Sequence, residues 1–192
     1  PTRFFIEEPV YNEFIKSFKS HVEAINVGDG LDSKSTMGPL VADRRLEVME
    51  DFISDAISSG GEVISGGGRG QSPGSFFEPT LIRDVPDTAK IMIEEPFGPV
   101  APSASFSSID EIIERANSLP FGLASYAFTC NPRTSQILKS EIESGMLAIN
   151  SMHIHSVETP FGGLKHSGYG YEGSIEGLEA FLVTKYSSEI YT

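Results

Sequence analysis

The chain has 192 residues, which suits one domain or one domain with an appendage, and its 39% hydrophobic residues can bury a core. Its net charge of −13 argues against nucleic acid or an anionic membrane as a partner. The single cysteine, Cys130, excludes an internal disulfide and is typical of a cytoplasmic protein, and no apolar run approaches the length of a membrane span.

Helical and strand patterns alternate along the chain. The predicted elements are a strand at 3–6, a helix from Pro9 to Ile25, a helix at 43–57, a strand at 62–64, a strand region at 76–82, a strand at 101–106, a helix at 109–117, a strand at 125–129, a helix at 132–142 and a strand at 146–149. Glycines then dominate up to a last helix at 174–180, and a β-rich tail follows. This order predicts an α/β fold with a largely parallel, helix-covered sheet and a C-terminal β-strand.

Residues 94–99, Glu-Glu-Pro-Phe-Gly-Pro, are poor material for a helix or a strand. Each proline removes a backbone donor and fixes φ, while the glycine adds freedom that folding must remove. Because carboxylates accept hydrogen bonds from hydroxyls and a ring can pack on a flat heterocycle, the segment is a candidate ligand site. The alternative is a strand-to-loop turn with an ordinary core phenylalanine.

Two further patterns suggest chemistry that their surroundings do not support. Residues 168–173 match the glycine fingerprint G-x-G-x-x-G, but no strand precedes them, so we interpret the match as false. His153 and His155 share one side of an extended segment near Glu158, yet closed zinc sites usually need four ligands and commonly include cysteine. We therefore predict no metal site. Loop histidines that line a pocket are the preferred interpretation.

Cys130 is the one candidate nucleophile in the chain. No basic residue precedes it immediately, and the nearest helix start, opened by Pro132, follows it. We do not expect it to be catalytic.

Taken in order, the motifs resemble the C-terminal part of an NAD(P)-dependent aldehyde dehydrogenase, most like the bacterial succinate-semialdehyde dehydrogenases. The resemblance extends essentially from end to end. It is carried by the segments at 3–7, 28–32, 37–40, 77–80, 94–99, 117–122, 145–150 and 160–170. The segments at 158–163, 169–173 and 183–186 suggest the succinate-semialdehyde subgroup.

The resemblance implies roles for particular residues. Glu95 is expected to bind the hydroxyls of the nicotinamide ribose of NAD or NADP, and Phe97 to pack beside that ribose and ring. Phe161 corresponds to a residue close to the aldehyde pocket, although packing that positions the following glycine turn explains it equally well. His155 stands where succinate-semialdehyde enzymes often place a serine that holds the far carboxylate, and Ser156 lies beside it. A histidine could serve a carboxylate equally well or mark a different substrate.

The resemblance also implies a reaction and a division of the chain. The parent enzyme would oxidise an aldehyde, such as succinate semialdehyde, through a cysteine thiohemiacetal and thioester with hydride transfer to NAD(P)⁺. Its cysteine is expected just before Pro1, with the general base and the Rossmann domain further upstream, so this chain is expected to be an inactive fragment without catalytic residues. Residues 1–150 would belong to the catalytic domain, 151–180 to its substrate loop and glycine-rich segment, and 181–192 to a strand that forms a homo-oligomer. The alternative is a stand-alone structural or interaction module.

Overall fold

The computed structural model describes residues 1–70 and 72–191, which form two compact units that meet in sequence at Ile112 and Ile113. The predicted division at residue 150 separates roles rather than compact units and stays a prediction. None of the described helices is long and apolar enough to cross a membrane.

The first unit is built on a four-stranded sheet. Its elements are β1 (Phe4–Glu7), α1 (Glu8–Glu23), α2 (Arg44–Ser58), β2 (Glu62–Ser65), β3 (Thr80–Arg83), α3 (Lys90–Ile93), β4 (Val100–Phe106) and the start of α4 (Ile109–Asn117). The strand order is β1-β4-β3-β2; β4 runs parallel to both β1 and β3, while β2 is antiparallel to β3. The predicted α/β fold with a largely parallel sheet is confirmed.

Helix α2 covers this sheet because its apolar residues recur at helical spacing. Leu46, Met49, Ile53 and Ala56 are buried, together with Phe52. They pack in one core cluster with residues of β3 and β4, among them Ile82 and Val100. The helix therefore has a fixed position against β3 and β4.

The second unit contains β5 (Phe121–Gly122), β6 (Ala124–Ala127), α5 (Pro132–Glu141), β7 (Met146–Ile149), β8 (Leu164–Lys165) and α6 (Ser174–Glu179). Strands β6 and β7 pair in parallel, and β5 pairs antiparallel with β8. Helix α5 begins where predicted, because the Asn131 side chain accepts hydrogen bonds from the amides of Arg133 and Thr134 at 2.9 and 3.4 Å.

Several elements differ from the predictions, and the two-residue strands β5 and β8 were not predicted. The helical turn α3 was not predicted, since four residues are too few to show a helical period. The strand region at 76–82 is interrupted at Pro79 as predicted, but its first part makes only an isolated bridge of Phe77 with Arg69, and the strand β3 runs from Thr80 to Arg83. The described part of the tail, 181–191, contains no strand in this single chain, where no neighbouring strand pairs with it.

Candidate functional site

Residues 94–99 join α3 to β4 and form neither helix nor strand, as their composition predicts. The amide of Glu94 closes α3 by donating to the Lys90 carbonyl at 2.7 Å, and the amide of Val100 donates to the Gly98 carbonyl at 2.9 Å. Phe97 has a φ of 43°, in the left-handed region that is uncommon for an aromatic residue. The loop therefore holds a backbone shape that the surrounding structure must stabilise.

Residues of helix α2 and strand β3 contact this loop and hold its backbone in place. The Arg45 guanidinium donates a hydrogen bond to the Pro96 carbonyl. Gly98 lies against Met49 so closely that a Cβ atom added to it would stand 2.2 Å from the methionine sulfur. The carbonyl of Pro99 accepts a hydrogen bond of 2.8 Å from the first residue of β3. The backbone on both sides of Phe97 is thus fixed to regular elements.

The two side chains assigned to a cofactor by resemblance both face solvent. Glu95 is exposed, and among the described residues its carboxylate makes no hydrogen bond or ion pair. The Phe97 side chain is 73% exposed, so the alternative of an ordinary core phenylalanine is wrong. A carboxylate with unused acceptor capacity and an open aromatic face, on one fixed loop, suit a vicinal diol and a flat ring. The chemistry of these two side chains fits the hydroxyls of a ribose and the face of a nicotinamide ring.

The three residues assigned to the substrate lie together in the second unit. The ring of His155 stands edge-on to the ring of Phe161, with centroids 5.4 Å apart and an interplanar angle of 88°. Ser156 follows in a local turn, in which its amide donates to the Thr159 hydroxyl at 3.0 Å and that hydroxyl donates back to its carbonyl at 3.1 Å. His155 and Ser156 are exposed and Phe161 is half-buried, so all three can meet a small molecule.

The electrostatics of this segment are mixed. Two hydrogen bonds hold the pKa of the Glu158 carboxyl below its usual value. The one from the Ser156 hydroxyl has the larger effect, and the one from the Glu158 backbone amide has the smaller effect. The Glu158 carboxylate therefore stays ionised at lower pH than an ordinary glutamate does. An anionic substrate group bound at His155 would need an imidazole N–H as its donor, because the single proton of the Ser156 hydroxyl is already donated to Glu158.

Glycines set the position of Phe161, and sequence reasoning did not assign them this role. The backbone of Phe161 pairs with Glu172 through two hydrogen bonds of 2.8 Å. A Cβ atom on the following Gly162 would stand 2.6 Å from the Gly170 carbonyl oxygen, and one on Gly145 would stand 1.9 Å from the Gly162 carbonyl oxygen. The sequence signal for this close packing was the double glycine after Phe161, and it did not show which distant segments the two glycines approach.

The remaining patterns do not form sites among the described residues. No group of three or more histidine, cysteine, aspartate or glutamate side chains there could hold a metal ion. Cys130 is exposed. The glycines at 168–173 lie between the two-residue strand β8 and the six-residue helix α6, which is not a strand–helix–strand unit.

The chain matches known proteins over nearly its whole length. The sequence pattern of the aldehyde dehydrogenase family matches residues 1–187. A 4-(hydroxymethyl)benzenesulfonate dehydrogenase of Comamonas testosteroni is 41% identical over 97% of the chain, and an NADP⁺ succinate-semialdehyde dehydrogenase of Escherichia coli is 38% identical over 96%. The crystal structure of a succinate-semialdehyde dehydrogenase from Burkholderia pseudomallei aligns with 95% of the chain at a TM-score of 0.93 and 36% identity.

These relatives are longer than the chain, which spans 38% of the length of each of the three. The family pattern nevertheless covers more than nine tenths of the 192 residues, and the fold agrees with the solved structure. The chain belongs to the aldehyde dehydrogenase family.

Proposed function

We propose that the complete protein containing this chain oxidises an aldehyde to a carboxylic acid with NAD or NADP as the hydride acceptor. The observation that carries the proposal is the loop at 94–99, which presents the unpaired Glu95 carboxylate and the open Phe97 ring from a backbone fixed on both sides. In this proposal, Glu95 accepts hydrogen bonds from the ribose hydroxyls and Phe97 packs beside the nicotinamide ring. The cofactor, when bound, takes up the hydride released by the substrate carbon.

We propose further that the substrate carries an acidic group away from its aldehyde, as succinate semialdehyde does. The names of two relatives, a succinate-semialdehyde dehydrogenase and a benzenesulfonate dehydrogenase, support this because each substrate pairs an oxidisable carbon with an anionic group. His155, Ser156 and Phe161 would bind that substrate. His155 supplies a donor for the distal anion, and the half-buried ring of Phe161 lines the pocket.

In this proposal the chain contributes part of the cofactor site and part of the substrate site, and none of its residues is the nucleophile. Cys130 is exposed in the connection between β6 and α5. We therefore expect no NAD(P)⁺ reduction by the 192-residue chain alone with any aldehyde. Measurable reduction by the purified chain would contradict this assignment.

The tail is proposed to join subunits into a homo-oligomer. Its apolar side chains are exposed in the single chain, with Val183 at 93% and Tyr186 at 88%. Extended backbone with free donors and acceptors can add to the edge of another subunit's sheet. Light scattering of the complete protein with and without residues 181–192 tests this, since an unchanged number of subunits per particle would refute it.

The cofactor assignment is tested by Glu95→Gln in the complete protein, with the exposed neighbour Glu94→Gln as the matched control. Hydrogen bonds to a charged acceptor are worth about 1.5–3 kcal/mol, so we expect the KM for NAD(P)⁺ to rise by about ten- to a hundredfold in Glu95→Gln. Glu94→Gln should stay close to the wild type. Equal KM values in the two variants would overturn the assignment of Glu95.

A further inference from the structure

Arg45 reaches the peptide unit between the two proposed cofactor residues. It lies in the first turn of α2, and its Nη2 atom donates to the carbonyl of Pro96, which stands directly between Glu95 and Phe97 in sequence. Pro96 is buried and Arg45 is half-buried, so water has restricted access to this hydrogen bond. The contact joins residues 51 positions apart.

The arginine is costly at this place. Its Nε atom is buried and has no hydrogen-bond partner among the described residues. An unpaired buried donor lowers stability, so packing alone would favour an apolar side chain at this position. Because Arg45 lowers stability at this position and still donates a hydrogen bond to the loop, its presence is better explained by an effect on the geometry of the loop.

The helix α3 before the loop and the C-terminal part of the loop are held without Arg45. At the start of α3, the amide of Lys90 donates to the Asp55 carboxylate at 2.7 Å, and its ammonium pairs with Asp51 at 2.7 Å. At the other end, Gly98 packs on Met49. Loss of Arg45 would therefore leave α3 and β4 in place and release only the middle of the loop.

From this arrangement we infer that Arg45 is a positioning residue that holds Glu95 and Phe97 in the geometry that binds the nicotinamide ribose. The inference rests on the proposed function. The arginine itself acts through the Pro96 carbonyl. Its contribution is expected in cofactor affinity and in the placing of the ring, with the fold largely unaffected because the ends of the loop keep their own contacts.

The test compares Arg45→Met, Arg45→Lys and the exposed neighbour Arg44→Met in the complete protein. Methionine keeps much of the length without the donor, and lysine keeps a donor. We expect Arg45→Met to raise both the KM and the Kd of NAD(P)⁺ about tenfold, while the KM of the aldehyde changes less than twofold. Arg45→Lys should recover part of the loss, and Arg44→Met should match the wild type. Thermal unfolding of each variant identifies any general loss of structure.

A double variant separates positioning from an independent effect. If Arg45 acts through Glu95, then Arg45→Met should weaken cofactor binding much less in the Glu95→Gln background than in the wild type. Effects that multiply fully, or an Arg45→Met variant equal to Arg44→Met, would overturn the inference. A loss of affinity in Glu95→Gln without any in Arg45→Met would overturn this inference alone, whereas a wild-type protein that neither binds nor reduces NAD(P)⁺ would overturn the proposed function.

Discussion

Replacing Gly145 by alanine should displace the segment that carries Phe161, because the two backbones lie too close for a side chain. The added Cβ atom would stand 1.9 Å from the carbonyl oxygen of Gly162, and real Cβ contacts essentially never fall under 3.0 Å. One backbone must therefore move by at least 1.1 Å, the difference between these two distances. The obstructing atom belongs to the main chain, so no side-chain rotation relieves the contact.

The cost follows from what surrounds Gly162. Its other side is also closed, since a Cβ atom there would stand 2.6 Å from the Gly170 carbonyl oxygen, so the segment has little room to retreat. Overpacking typically lowers the free energy of unfolding by about 1–3 kcal/mol. Because a backbone must move here, we expect a loss in the upper part of this range, about 2–3 kcal/mol. For a chain of this size, about 1 kcal/mol lowers the Tm by roughly 2–4 °C, so the expected loss is about 4–12 °C.

Circular dichroism during heating measures this loss, with Gly38→Ala as the control. A Cβ atom at Gly38 meets nothing within 4 Å, so its Tm should be unchanged or slightly raised. In the complete protein, Gly145→Ala should also raise the KM of the aldehyde, because Phe161 moves with Gly162. A Tm within about 1 °C of the Gly38→Ala value would refute the argument from close backbone packing.

Three further variants test local features of the second unit. Asn131→Ala removes the cap of α5 and should lower the free energy of unfolding by about 0.5–2 kcal/mol in urea, while an unchanged midpoint would contradict the cap. Ser156→Ala should raise the pKa of Glu158 toward its ordinary value in an NMR titration. Because folding lowers the pKa of Glu158, its ionised carboxylate stabilises the folded state above the unfolded pKa, and this stabilisation is lost as the pH falls through the folded pKa. The dependence of the free energy of unfolding on pH in the acid range should therefore be weaker in the variant. His155→Ala in the complete protein should raise the KM of carboxylated aldehydes more than that of plain aliphatic ones. Equal increases would contradict the proposal that His155 binds an acidic group of the substrate.

Elements with local signals were predicted well. The helix at 109–117 has its predicted bounds because two hydrogen bonds fix its start. The Ser108 hydroxyl accepts from the Glu111 amide at 3.2 Å, and the Glu111 carboxylate accepts from the Ser107 amide at 2.9 Å. The strand at 146–149 also has its predicted bounds, since four apolar residues stand between a glycine and a polar residue. The turn α3 was missed because four residues are too few to show a helical period, and because Asp55, whose carboxylate accepts from its first amide, lies 35 residues away.

The substrate segment shows the same limit. Its residues were assigned by resemblance, and the structure brings His155 and Phe161 into ring contact. The glycines that place Phe161 could be seen in the sequence, but their partners could not, because close approaches such as that of Gly145 to Gly162 form only when distant segments pack.

By itself, the sequence determined the α/β class, most element positions and the family resemblance, and the resemblance implied the two residues proposed for the ribose. These depend on residue type and spacing within short windows, where propensity, capping and motif act locally. Only the tertiary structure decided that Phe97 is exposed and that Arg45 lies beneath Pro96. The reason is that exposure and long-range hydrogen bonds depend on which distant segments pack together, and no local pattern of residues records that choice.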